Sequence, residues 1–81
     1  MIDTLGLSRM GTEILFSYKL NAVVLVEVQE EDEERGVVLM SIHTPKDKYY
    51  RKRVNYDPNT DTHMVLIRIL TYFVNDIKEK I

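Results

Sequence analysis

Two periods of apolar residues divide the chain. From His63 onward the period is helical. At about 100° per residue, Leu66, Ile69, Leu70, Phe73, Val74, Ile77 and Ile81 share one face, and Arg68, Thr71, Asn75 and Glu79 lie roughly opposite. Asp57-Pro58 opens this segment, with Asp suited to the cap and Pro to the first helical position. Thr60 and Asp61 are alternative caps. Lys78 and Lys80 fall in the last turn, where the helix dipole favours positive charge. The stripe is too wide in its first half. Met64, Val65, Ile67 and Tyr72 fall outside the face that one sheet can cover. They are therefore the candidate partner-binding residues, expected to meet the N-terminal segment or another chain.

Ahead of that helix the period shortens to two. Residues 22–29 are the surest strand, because Val23, Val24, Val26 and Val28 are β-branched and fit a pleated sheet. Its faces are Ala22, Val24, Val26, Val28 and Val23, Leu25, Glu27, Gln29. Residues 37–43 and 48–56 alternate too, and the turn at Thr44-Pro45-Lys46-Asp47 makes them a hairpin. Between the first two strands an acidic run, Glu30, Glu31, Asp32, Glu33 and Glu34, reads as a solvated turn. Gly36 ends it and can take positive φ. Exposure there should leave the carboxyl pKa values ordinary. Residues 13–20 put Ile14, Phe16, Tyr18 and Leu20 on one side, a strand pattern that we prefer. A helix also fits, since Leu7, Ile14 and Tyr18 would share a face. Residues 1–10 fit a short helix or a packed loop.

The expected fold class is therefore α+β: a three- or four-stranded antiparallel sheet packed against one long C-terminal helix, a two-layer sandwich, with the N-terminal segment undecided. The central strands are apolar on both faces, as in sheets covered on two sides. One helix covers one face, so the other needs the first twenty residues or a partner.

Composition narrows the function more than it names it. The 81 residues make one domain, 1–81, with a modest core. There is no cysteine, hence no disulfide framework and no thiolate zinc site. Small domains without such staples often gain stability by oligomerising. A net charge of -2 argues mildly against a dedicated nucleic-acid binder. No apolar run approaches the ~20 residues that span a bilayer, and residues 1–10 lack the features of a signal peptide. The expected location is cytoplasmic, meaning the host's cytoplasm for a viral protein, with no membrane partner.

The most distinctive chemical run is basic and aromatic: Lys48, Tyr49, Arg51, Lys52 and Arg53, with Lys46, Tyr50 and Tyr56 around them. Such residues neutralise phosphates and stack on bases, so they are the candidate nucleic-acid or acidic-partner site. The plainer reading is an edge strand kept soluble by charge, its cations paired with Glu27 or the acidic turn. Asp57, Asn59 and Asp61 start like a calcium loop, but Thr62 and Arg68 stand where Gly and Glu are needed. His43 and His63 lie on different elements without zinc spacing. Ser8, Ser17 and Ser41 have no nucleophile context, and the three glycines make no phosphate loop. The expectation is a non-enzyme with no catalytic residue, metal or cofactor. We expect a binding protein that works by contact with another protein, as a regulator, adaptor or inhibitor of the kind phages and mobile elements encode. It should form a homodimer through the open sheet face or through Met64, Val65, Ile67 and Tyr72. Nucleic acid is the rival partner.

Overall fold

Of residues 13–20, expected as a strand, 13–17 are helical and 18–20 form the turn that follows, and that change supplies half of the layer above the sheet. The computed structural model describes residues 2–60 and 62–81. Its elements are α1 (Thr4–Ser17), β1 (Val23–Glu31), β2 (Gly36–His43), β3 (Tyr49–Tyr56) and α2 (Thr62–Lys78). Helix α1 buries Leu7, Ser8, Gly11 and Leu15, a spacing that belongs to a helix and not to a strand. The alternation that suggested a strand was misleading because Phe16 and Tyr18 are exposed. Local chemistry sets both ends. The Asp3 carboxylate accepts the Gly6 N–H at 2.8 Å, an N-cap. Lys19, at φ 63°, takes the left-handed step after the helix, and the Leu20 N–H closes on the Leu15 carbonyl at 3.0 Å.

The three strands form one antiparallel sheet in the order β1-β2-β3. Val24, Val26, Val38, Met40, Ile42, Val54 and Tyr56 point to one side of it. There they form a single core with Leu7 and Leu15 of α1 and Leu66, Leu70, Phe73, Val74 and Ile77 of α2. Both helices therefore lie on the same face. They run parallel and side by side. Ile2 and His63 line one groove where they begin, and Lys78 lies over the Tyr18 ring, 3.9 Å from its centroid, where they end. Thr71 and Asn75, expected opposite the core, are half-buried because α1 occupies that flank. Ile81, expected on the core stripe, is exposed beyond the helix end.

Helix α2 begins later than expected. Residues 57–60 form a turn in which the Asp57 carboxylate accepts the Asn59 N–H at 2.9 Å. Asp61, the alternative cap and third oxygen of the calcium-like run, lies outside the described residues.

The two edges of the sheet are treated differently. Along β1 the Val26 N–H donates to Ser8 Oγ at 2.8 Å, and Ser8 donates on to the Thr4 carbonyl at 2.7 Å. Likewise the Val24 N–H donates to Thr12 Oγ1 at 3.0 Å, and Thr12 donates to the Ser8 carbonyl at 2.9 Å. Hydroxyls of α1 thus occupy edge donors that another strand would otherwise seek. Gly11 permits this closeness: a Cβ there would come within 2.7 Å of Val24. Along β3 no such hydroxyl contact is made among the described residues, and Arg51, Lys52 and Arg53 stand exposed at its centre.

Gly36 serves closeness as well. No glycine has positive φ, contrary to expectation. Gly36 instead pairs with Tyr56, and any Cβ would collide with that ring. A bulge between Val28 and Glu30 shifts the β1 register so that Glu31 pairs with Gly36 on the helix side of the sheet. Its carboxylate there accepts the Tyr56 hydroxyl.

Candidate interaction surface

Among the described residues, no helix lies on the opposite face of the sheet. Register places its side chains in rows across β1, β2 and β3: Val23, His43, Tyr49; Leu25, Ser41, Arg51; Glu27, Leu39, Arg53; and, past the bulge, Glu30, Val37, Asn55. Val23 is 61% exposed, Leu25 46% and Tyr49 52%. Val37 and Ser41, in the middle strand, are buried by their neighbours alone, and Leu39 is half-buried. The result is an apolar strip of Val23, Leu25, Leu39 and Val37. Acids of β1 border it on one side and cations of β3 on the other.

At one end the strip is ordered by side-chain contacts. His43 Nε2 and Asp47 Oδ1 are 2.9 Å apart. The rings of His43 and Tyr49 lie 5.8 Å apart, and the Arg51 guanidinium sits 5.3 Å from the Tyr49 centroid. Tyr49 is thus held between its row neighbour His43 and the next cation along its own strand. Such stacking fixes Arg51 across the face and shields its stem.

The basic run does not act as one cluster. Tyr49, Arg51 and Arg53 share the open face with Glu27 and Glu30. Lys52 points to the helix side, beside Ile69, Tyr72, Phe73 and Asp76. Lys48 belongs to the turn before β3, where its N–H donates to Thr44 Oγ1. The cross-strand ion pairs expected for these cations are not formed. Among the described residues the one Lys or Arg in an ion pair is Lys80, with Asp76, while His43 and Asp47 are hydrogen-bonded. Arg53 and Glu27 share a row, but Leu39 stands between them.

The helix-edge residues are distributed rather than gathered. Met64, Val65 and Tyr72 are exposed, Tyr72 to 72%. Ile67 is half-buried and packs on the core, so it leaves the exposed set. Val65 and Tyr72 stand about two turns apart on one side, with Met64 roughly 100° round from Val65. They form no continuous apolar patch comparable to the open face. The sequence reading expected an open sheet face and put Val23 and Leu25 together on one side of their strand, but it did not name them as site residues, and their grouping with Leu39 follows only from the strand register.

Two carboxyl and phenol groups have perturbed acidities. The Asp32 carboxylate accepts the Arg35 and Glu34 N–H groups, both at 2.9 Å, and these hold its pKa below the ordinary 3.8. This corrects the expectation of ordinary values in the acidic turn. Burial, followed by the hydrogen bond to Glu31, pushes the Tyr56 phenol up to about 12. Neither arrangement pairs a nucleophile with a base. Among the described residues no three His, Asp or Glu side chains gather as metal ligands, and no helix is long and apolar enough to cross a membrane.

The arrangement is that of a two-layer α+β domain with one sheet face left bare. Comparison of the chain with protein-family models, with curated proteins and with solved structures finds no match.

Proposed function

We propose that this is a small, non-enzymatic binding protein that works by contact with another protein through its bare sheet face, as a regulator, adaptor or inhibitor in the cytoplasm. If it comes from a phage or mobile element, that cytoplasm is the host's. The observation that supports this reading is the asymmetry of the sheet. Two helices cover one side, while Val23, Leu25 and Tyr49 stand in water on the other. A sheet apolar on both faces ordinarily has both faces covered. Helix-edge residues Met64, Val65 and Tyr72 are a secondary contact in this reading.

Nucleic-acid binding through β3 is the weaker reading. Arg51 and Arg53 share their face with Glu27 and Glu30, which repel phosphates, and Lys52 faces the other way. A gel shift at low salt with mixed DNA and RNA tests it, and no shift is the expected result.

The test of the contact reading is a photo-crosslinking residue at Leu25, with the same residue at Arg9 on the exposed side of α1 as the control. Adduct formation at Leu25, abolished by Val23→Asp, is expected. Equal labelling at both positions would defeat the reading.

A further inference from the structure

We infer that the occupant of the bare face is a second copy of this chain, docked face to face about a two-fold axis that runs along β2. This deepens the contact reading and rests on it. The argument is one of charge order. On the open face the three strands form three columns: acids and apolar residues on β1, a mostly neutral centre on β2, cations on β3. A two-fold axis along the strands lays β1 of one copy over β3 of the other and keeps every row opposite itself. Glu27 then faces Arg53 of the second copy, and Arg53 faces its Glu27. Leu39 meets Leu39, Val37 meets Val37, and Val23 meets Tyr49. The other face-to-face two-fold, with its axis across the strands, lays β1 on β1 and β3 on β3. That sets Glu27 and Glu30 against acids and Arg51 and Arg53 against cations, a costly arrangement. Only the first axis satisfies the charges.

The distances suit it. Packed sheets lie about 10 Å apart, and a Glu and an Arg reaching from facing sheets span that gap. Glu27 and Arg53 have no ion-pair partner within their own chain among the described residues. Pairing them across the interface also encloses the Leu39 and Leu25 side chains. Edge-to-edge pairing through β3 is disfavoured for the same reason that selects the face. An antiparallel β3–β3 contact centred on Lys52 sets Arg51 against Arg53 twice and Lys52 against itself.

The face is small. Three strands about 4.8 Å apart and eight residues at about 3.3 Å give a flat footprint of roughly 380 Å². A standard interface removes about 800 Å² of accessible surface from each partner. Association should accordingly be reversible and concentration-dependent, with a dissociation constant in the micromolar range or weaker.

Sedimentation equilibrium across micromolar to millimolar concentrations tests this, with circular dichroism to confirm folding. The wild-type mass should rise towards a dimer. Glu27→Arg alone and Arg53→Glu alone should each weaken association about tenfold or more, and the double charge swap should restore it. A wild-type chain that stays monomeric at millimolar concentration would overturn the inference. So would a dimer that survives both single reversals, or one that the double swap fails to restore. The contact reading fails on different grounds. A monomer that still crosslinks selectively through Leu25 leaves the face a binding site for a different protein.

Discussion

The middle strand presents the contrast that organises this molecule. On its helix side Val38, Met40 and Ile42 are wholly buried, in a core that residues of both helices complete. On its other side Val37 and Ser41 are almost as inaccessible, but only side chains of the flanking strands cover them. One face is built to hold the fold together. The other is closed in its centre and open at its flanks, where Val23, Leu25 and Tyr49 contact water. Burial alone does not distinguish a structural face from a binding face. What distinguishes them is whether the covering atoms come from another layer.

The largest expected effect tests that distinction directly. Met40→Ala removes a fully buried side chain from the core on the helix side and should cost about 2–5 kcal/mol of folding stability. Leu25→Ser, measured at concentrations low enough to keep the chain monomeric, should change stability by no more than about 0.5 kcal/mol. Urea denaturation of both variants gives the comparison. A Leu25→Ser cost equal to that of Met40→Ala would mean the two faces are not different in kind.

Next in size are two substitutions where the covered side depends on close approach. Ser8→Ala removes the acceptor for the Val26 N–H at a buried position and should cost about 1–3 kcal/mol. Val26 amide exchange should accelerate with it. Gly36→Ala forces the Tyr56 ring off its bed and away from Glu31, with a similar expected loss of about 1–3 kcal/mol. Retained stability after Ser8→Ala would place α1 away from the β1 edge, and retained stability after Gly36→Ala would place the Tyr56 ring away from Gly36.

Why these features were hard to read from the sequence follows from the same contrast. Strands β1, β2 and β3 were legible because Val23–Val28, Val37–Ile42 and Lys48–Tyr56 alternate between strong turn signals. Helix α2 was legible because its stripe repeats over four turns. Helix α1 was not. Its sheet-facing positions include Ser8, Gly11 and Thr12, chosen for closeness and hydrogen bonding to the β1 edge rather than for apolar area. Meanwhile its exposed Phe16 and Tyr18 mimicked a strand. The rows of the open face were hidden for a different reason. They depend on pairing register, and the bulge after Val28 reverses which of Glu30 and Glu31 reaches which face. No single-strand pattern encodes that.

Tyr56 offers a smaller, pH-dependent test of the covered side. Its phenol is pushed up to about 12 by burial and by Glu31, against an unfolded value near 10. The folded state therefore holds this proton more tightly than the unfolded state. Its contribution is fully present below about pH 10 and is lost as pH rises through about 12. The difference between the wild type and Tyr56→Phe, in thermal midpoint against pH, should be flat up to about pH 10 and should turn against the wild type above it. A difference that stays flat to pH 12 would mean that Tyr56 is open to solvent.

The smallest effect concerns the turn that aligns the two faces. Asp32 accepts the Glu34 and Arg35 N–H groups, and its own N–H donates to the Arg35 carbonyl at 2.9 Å. This closes the β1–β2 hairpin and sets which residue of β1 sits beside Leu39. A slip of one residue would turn Glu27 towards the helices and Val28 towards the bare face. The carboxyl pKa is lowered below 3.8 by those hydrogen bonds, so the native state releases this proton more readily than the unfolded state. Its contribution is present above that ordinary value and is lost as pH falls through the folded value. Asp32→Asn keeps an acceptor for both N–H groups but carries no charge to titrate. The stability advantage of the wild type over Asp32→Asn should therefore shrink as pH drops below about 4. A side-chain carbon titration by NMR should place Asp32 below 3.8. A midpoint at or above that value would mean the turn is not closed in solution. The row that sets Glu27 opposite Arg53 of a second copy would then lose its anchor.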